Sequence, residues 1–245
     1  MAVSSQAALH SALAGVPLFA GLPAADLLEL SQKLTPQRFA RDEVILLQGD
    51  SHGDLHIVEG GSVRVVLTSP DGREVVLALL GPGEFFGELS LLDGLPGSAE
   101  VIAQEDCSLL RLRREHFRAF LRSHPHTAEA LLAVLSRRIR DTNTLVYDTT
   151  FRDVPSRLAN AIVKLAASYG RKENDGIVIG LRLTQEALAS MIGSSRISIN
   201  KHLKHWERQG LIRSRNGVIK VLDLEKLWQE NNLGEYPLDV SQWVS

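Results

Sequence analysis

One cysteine, Cys107, is the only thiol in 245 residues. A single cysteine excludes a disulfide framework within the chain, and alone it cannot ligate an iron–sulfur cluster or a structural zinc. A buried, inert thiol is the expectation. No stretch approaches the roughly 20 apolar residues of a membrane span. Met1 to Gly15 holds neither lysine nor arginine and no long apolar run, so no secretory signal is expected and the chain reads as cytoplasmic. His52, His56, His116, His124 and His126 are scattered without metal spacing or a base–nucleophile pattern. An enzyme therefore has little support, and no metal, haem or iron–sulfur cluster is expected. The formal net charge of −2 also lacks the basic excess of a chain that is cationic throughout.

That average hides an asymmetry. Between Ser194 and Lys220 lie Arg196, Lys201, Lys204, Arg208, Arg213, Arg215 and Lys220, seven cations against the single anion Glu207. Such a cluster is either a solvated basic face or a surface for an anionic partner.

Three segments follow one another. From Val16 to Pro125, after a short helix at Ala24–Lys33, apolar runs recur between glycine turns: Val44–Leu47, Leu55–Val58, Val63–Leu67, Val75–Leu80, Val101–Ala103 and Leu109–Leu112. Short strands so spaced predict a sandwich or barrel. Asp71-Gly72 is a good hairpin turn, since a positive φ costs glycine little. Within this segment Gly83-Glu84-Phe85-Phe86-Gly87-Glu88-Leu89-Ser90-Leu91-Leu92 reads as a turn, a strand end and a short apolar helix. Such a corner points backbone N–H groups and a helix N-terminus into one space, the parts needed to hold a phosphate. Glu88 adds an acceptor suited to a ribose hydroxyl. The following Asp93–Ala99 has no arginine where a bound phosphate would want one.

The second segment is one long helix, about Thr127 to Asp148. Ala128, Leu132, Leu135, Ile139, Thr142, Val146 and Thr149 recur at spacings of four and three, a heptad seam that predicts a two-helix coiled coil and hence a homodimer. The third begins at Phe151-Arg152-Asp153-Val154-Pro155, where Pro155 disfavours helical dihedrals at Val154 and places a hinge. A helix Ser156–Tyr169, a polar loop Gly170–Gly176 and a strand Ile177–Ile179 are expected next. Thr184 then caps a helix whose first turn holds Gln185 and Glu186, Gly193 ends it, and Ser194 or Ser195 caps another. Two short helices on a glycine turn make a helix-turn-helix. Ile199, Leu203 and Trp206 share the buried face of the second; Arg196, Asn200, Lys201 and Lys204 lie opposite, where arginine and asparagine reach base edges and lysines meet phosphates. Leu211–Arg213, the turn Arg215-Asn216-Gly217 and Val218–Val221 read as a two-stranded wing. Helix-turn-helix, basic face and wing together point to double-stranded DNA.

With these residues in place, the chain resembles the CRP/FNR superfamily of bacterial transcription regulators from about Leu18 to Leu224. Its marks are the Gly87-Glu88-Leu89-Ser90 corner, the Phe151-x-Asp153-Val154-Pro155 hinge and the Ser195-Arg196-x-Ser198 helix start. The resemblance implies an α+β chain: a cyclic-nucleotide-binding β-roll over residues 16–125, a dimerisation helix and hinge over 126–150, a winged helix-turn-helix over 151–228, and a tail over 229–245. It implies that Gly87, Leu89 and Ser90 hold phosphate through their N–H groups, that Glu88 holds ribose, and that Ser98 stands beside the phosphate. Thr142 and Asn143 fall where cyclic-AMP members read adenine. Thr184, Gln185, Ser194, Arg196, Ile197, Ser198, Asn200, Lys201, Lys204 and Arg215 become the DNA-contacting set. RNA polymerase is the implied protein partner, and the operator is pseudo-palindromic because a dimer imposes two-fold symmetry.

Two departures qualify the transfer. Gly97 stands where cyclic-AMP members carry an arginine to the phosphate. A lost charge-assisted hydrogen bond costs about 1.5–3 kcal/mol, or roughly 10- to 150-fold in affinity. Cyclic AMP and a cyclic dinucleotide such as cyclic di-GMP, using Arg64 or Arg73, are both open as ligands, as is a ligand-independent regulator. In the recognition helix Ile197 replaces a glutamate that accepts from cytosine and Lys201 an arginine that contacts guanine, so a different half-site is expected. The rival class is a sensing or assembly module with a vestigial DNA-binding domain.

Overall fold

The computed structural model describes residue 9 and residues 12–51, 53–70 and 74–231. His52, the Asp71-Gly72 turn, Arg73, most of the segment read for a secretory signal, and the tail beyond Asn231 lie outside these residues. The chain parts into two compact units, one of residues up to 68 with 77–141, the other of 69–76 with 142 onward.

The first unit is a β-roll. Helix α1 (Ala24–Ser31) precedes strands β1 (Leu34–Phe39), β2 (Val44–Leu46), β3 (Leu55–Gly60), β4 (Val63–Thr68), β5 (Glu74–Leu80) and β6 (Phe85–Phe86). Helix α2 (Glu88–Asp93), β7 (Glu100–Ala103), β8 (Cys107–Leu112) and helix α3 (Arg114–Ser123) complete it. Two four-stranded sheets form, ordered β1-β8-β3-β6 and β2-β7-β4-β5. Because successive strand residues face opposite sides, β3 sends Val58 inward with Phe86 and Leu109 against Val63, Val101 and Ala103 of the other sheet. Its Leu55 and Ile57 face outward, where Leu30, Phe117, Phe120 and Leu131 of the helices cover them. Cys107 is buried in the inner core, and burial pushes its thiol up, with Glu105, Glu43 and Asp106 adding to the effect. That is the buried thiol expected.

Strand β1 and helix α3 of this unit were not anticipated from the sequence. Strand β1 carries Pro36 among polar residues, which weakens any strand signal; it is tolerated because β1 is an edge strand. Helix α3 is short and strongly charged, and its apolar signal is only Phe117, Phe120 and Leu121.

The long helix α4 runs Pro125–Phe151, longer at both ends than Thr127 to Asp148. Its first residue is proline, which suits a helix start because the missing N–H has no intrahelical partner there. The helix begins in the first unit and ends in the second. In place of a helix starting at Ser156, α5 spans Val154–Tyr169. Asp153 is its N-cap, accepting from the Ser156 N–H at 3.0 Å, and this cap overrides the bias that Pro155 places on Val154. The break between the two helices is therefore Arg152 and Asp153 alone. Hydrogen bonds from the side chain and backbone of Ser156 hold the Asp153 carboxyl below the usual range. Its share of stability is thus full above the ordinary value of 3.8 and is lost as the pH falls below it. Asp153→Ala is expected to cost about 1 kcal/mol in urea unfolding at pH 7, with the difference shrinking in strong acid.

The second unit continues with β9 (Gly170–Glu173), β10 (Gly176–Ile179), α6 (Gln185–Ile192), α7 (Arg196–Arg208), β11 (Ile212–Arg215), β12 (Val218–Val221) and α8 (Leu224–Glu230). The stretch expected as a polar loop contains strand β9, hydrogen-bonded to β10 from Gly170↔Ile179 to Glu173↔Gly176. It lacks an apolar period because it is an edge strand of mostly exposed residues. The wing is accordingly part of a four-stranded antiparallel sheet ordered β11-β12-β10-β9. Asn216 (φ 52°) and Gly217 (φ 78°) form its tight turn, as Asn-Gly requires.

Candidate functional site

The corner is built on Gly87. Its φ of 88° lies in the left-handed region, and a Cβ there would stand 2.3 Å from the carbonyl oxygen of Asp54. Glycine alone lets β6 turn directly into α2, with Leu91 N–H donating to Gly87 O at 3.2 Å. The N–H groups of the first helical residues, Glu88, Leu89 and Ser90, have no acceptor within so short a helix. Glu88 and Ser90 are buried and Leu89 is exposed. The next loop returns over residues 94–99. Gly97 donates to Asp50 O at 2.9 Å and accepts from Gly49 N–H at 2.8 Å, which pins the loop to the β2–β3 connection. Ser98 beside it is exposed.

The corner has a residue that sequence reasoning missed. Arg138 of α4 donates to Glu88 Oε1 at 2.6 Å and to the carbonyl of Phe85, with its guanidinium 4.9 Å over the Phe85 ring. Glu88 is only 4% exposed, and burying a carboxylate is costly without such a partner. The corner thus holds a cation after all, bound to the acid expected to meet ribose. The signal was present: Arg138 stands four residues before Thr142, on the same helix face. Arg64, considered as an alternative cation, is committed to Asp42 at 3.1 Å and Gln104 at 3.4 Å.

Thr142 and Asn143 lie on the second unit's share of α4, both exposed. Along α4, Leu132, Ile139 and Val146 are 63%, 62% and 59% exposed, an apolar stripe at heptad spacing. Leu135 of the expected seam also faces its own unit. It is partly buried and packs with Leu131 and Val134 against the core of its own unit. A helix that must cover its own sheet spends part of its apolar surface there, and spacing alone could not separate the two faces.

In the second unit, Thr184 accepts from Ala187 N–H at 3.0 Å to start α6, and Gly193 (φ 60°) ends it. Ser195, not Ser194, caps α7, accepting from Ser198 N–H at 3.2 Å. Ile199, Leu203 and Trp206 are buried. Gln185 Nε2 donates to Asn200 Oδ1 at 3.1 Å, fixing one helix on the other. Arg196, Lys201, Lys204 and Arg215 are exposed, and Ile197 is 84% exposed. Arg196 opens α7 with no acid in the first turn, so a cation sits at the positive helix end. That local cost and the bare isoleucine lie together on the face expected to meet DNA. Burial, with Lys201 and His205 adding, lowers His202 below the usual histidine range, so it contributes little charge near neutral pH.

The basic cluster shrinks in space. Lys220 is hydrogen-bonded to Glu173 at 2.9 Å and to Asp175, and Arg213 pairs with Asp175 at 3.6 Å. Both acids lie outside the Ser194–Lys220 window. Among the described residues no group of three or more histidines, cysteines or acids is placed to hold a metal, and no helix is long and apolar enough to cross a membrane.

Comparison with known proteins bears on the same two regions. The cyclic nucleotide-binding domain family matches residues 36–124, and the Crp-like helix-turn-helix domain family matches residues 156–230. A CRP-like cAMP-activated global transcriptional regulator of Mycobacterium tuberculosis is 33% identical over 215 residues, 88% of this chain and 96% of its own. The cyclic AMP receptor protein of Thermus thermophilus is 35% identical over 208 residues, 84% and 93% of the two chains. Among solved structures, the c-di-GMP responsive global regulator CLP of Xanthomonas campestris matches with a TM-score of 0.69 at 24% identity, over 81% of this chain and 99% of that one, a likeness of fold. Domain order, the glycine-built corner and the capped helix pair agree with these matches: the chain belongs to the CRP/FNR family of transcription regulators, DNA-binding proteins with a cyclic nucleotide-binding domain and no enzymatic activity.

Proposed function

We propose that the chain works as a homodimer whose corner takes a cyclic nucleotide and whose paired α7 helices read a pseudo-palindromic operator. The observation that carries the ligand reading is the Gly87–Ser90 turn with Glu88 and Arg138 paired at 2.6 Å beside it. The N–H groups of Glu88 to Ser90, together with Ser98, would hold the cyclic phosphate. The Glu88 carboxylate accepts from the ribose hydroxyl while Arg138 holds it in place. Cyclic AMP is the first candidate, because the two relatives at 33% and 35% identity are named for it. Gly97 lowers that affinity by withholding the phosphate's arginine, which favours cyclic di-GMP as the second reading. Thr142 and Asn143 are the proposed base readers.

On the DNA side, Arg196 and Asn200 meet base edges, Ile197 packs on a thymine methyl, and Lys201, Lys204 and Arg215 take phosphates. Thr184, Gln185, Ser194 and Ser198 are further proposed backbone contacts. A ligand acts only through its different affinities for DNA-competent and incompetent dimers.

Isothermal titration of cyclic AMP, cyclic GMP and cyclic di-GMP, followed by DNA anisotropy with each, tests the reading. The expected result is cyclic-AMP binding weaker than micromolar and DNA binding that changes with the bound nucleotide. Arg196→Ala should lower operator affinity about 5- to 150-fold, an equivalent of about 1–3 kcal/mol, with dimerisation retained. Nucleotide-insensitive, unaltered DNA binding would remove the ligand reading; operator binding untouched by Arg196→Ala would remove the DNA face.

A further inference from the structure

Two of the wing's three cations, Arg213 and Lys220, are paired with acids, and Arg215 is not paired with them. Across the four-stranded sheet, Arg213 of β11 stands opposite Lys220 of β12, Lys220 opposite Val178 of β10, and Val178 opposite Arg171 of β9. Three cations thus share one row, with Arg213 and Arg171 exposed. Like charges directly opposite repel, yet here each has a carboxylate. Glu173 and Asp175 at the β9–β10 turn meet Lys220 together; Asp175 also pairs with Arg213, and Glu173 with Arg171 at 3.7 Å. The turn is pressed onto β12: a Cβ on Gly176 would stand 2.2 Å from Val221 O, so glycine is what lets Asp175 come within reach of Lys220. Pairing with Lys220 lowers the Asp175 carboxyl and raises the Lys220 ammonium, so both remain charged across the physiological range.

We propose that Glu173 and Asp175 are an internal competitor for DNA phosphates, occupying wing cations Lys220 and Arg213 and thereby limiting how tightly, and with what salt dependence, the chain holds DNA. The inference rests on the DNA-binding reading and names residues outside the recognition helix as determinants of affinity. Five cations of the Ser194–Lys220 cluster remain without these acids: Arg196, Lys201, Lys204, Arg208 and Arg215. Each additional phosphate contact steepens the dependence of log K on log salt by about 0.9.

The test is anisotropy of a labelled duplex between 50 and 200 mM salt, with Asp175→Asn and, as a second variant, Glu173→Gln. Both acids are surface groups, and thermal melting reports whether the variants stay folded. The wild-type titration is read first; its failure to bind DNA counts against the proposed function and not against the competitor. Asp175→Asn is expected to bind more tightly at 50 mM, with an advantage that shrinks about 3.5-fold by 200 mM for each released cation. In a Lys220→Met, Arg213→Met background the same substitution is expected to change nothing. Unchanged affinity and slope overturn the proposal. So does weaker binding with a lower melting temperature, which means that the acids only hold the wing together. A gain that persists without Lys220 and Arg213 also overturns it, because it reports bulk charge alone.

Discussion

Gly87→Ala is expected to abolish nucleotide binding and to destabilise the β-roll by several kcal/mol. Two costs add. A left-handed conformation at a residue with a Cβ costs about 1–2 kcal/mol, and overpacking against fixed neighbours costs about 1–3 kcal/mol. The neighbour here is fixed: the new Cβ would lie 2.3 Å from Asp54 O, and the Asp54 side chain is held by Arg114 N–H at 3.0 Å and by Arg111 at 3.4 Å. The start of β3 therefore cannot step back, and the corner must open. Against a typical stability of about 5–15 kcal/mol, this is a large fraction. Scanning calorimetry should show the β-roll transition lowered by about 10 °C or more. Isothermal titration should show no saturable nucleotide binding at concentrations that saturate the wild type. Wild-type affinity in Gly87→Ala would mean that the turn does not shape the site.

Ile139→Asp is expected to convert the protein to a monomer and to weaken operator binding by at least about 100-fold, since linked half-site contacts gain roughly 10²–10⁴ from avidity. Leu132, Ile139 and Val146 repeat at seven-residue spacing and are all more than half exposed on the isolated chain. On a two-fold seam, aspartate at 139 would place one carboxylate near its own copy in an apolar contact, and neither would have a partner. Leu132→Asp, farther from the Glu88–Arg138 pair, should behave the same way while leaving the corner intact. Leu135→Asp should differ in kind. Its side chain packs on the core of its own unit, so the melting temperature falls whether or not the dimer survives. Sedimentation equilibrium at micromolar concentration separates the cases. A dimeric Ile139→Asp protein would place the interface elsewhere.

Much of the winged half was legible because its rules are local. Thr184 caps from its own helix start, Gly193 stops the same helix, one of Ser194 and Ser195 caps the next (it is Ser195), and Asn216-Gly217 turns the wing. Each depends on dihedral preference or on a hydrogen bond reaching three residues, and the chain spells these out in order. The apolar face of α7 was equally plain, since a helix repeats every 3.6 residues; on α4 the repeat was plain, but not which of its residues cover the chain's own core. Strand β9, polar and on an edge, had no such period, and neither did β1 with its proline.

What the tertiary structure alone decided concerns charge and facing. Glu88 meets Arg138 across fifty positions, and Lys220 meets Glu173 and Asp175 across more than forty. Leu135 turns inward although its spacing matches Leu132 and Ile139, because a neighbouring sheet was there to be covered. Periodicity and capping act through bonds a few residues long, so the sequence determined the order of elements, the helix-turn-helix and the glycine of the corner. Ion pairing and burial act through space. Which cations stay unpaired for a ligand or DNA is therefore settled only when distant segments are folded side by side.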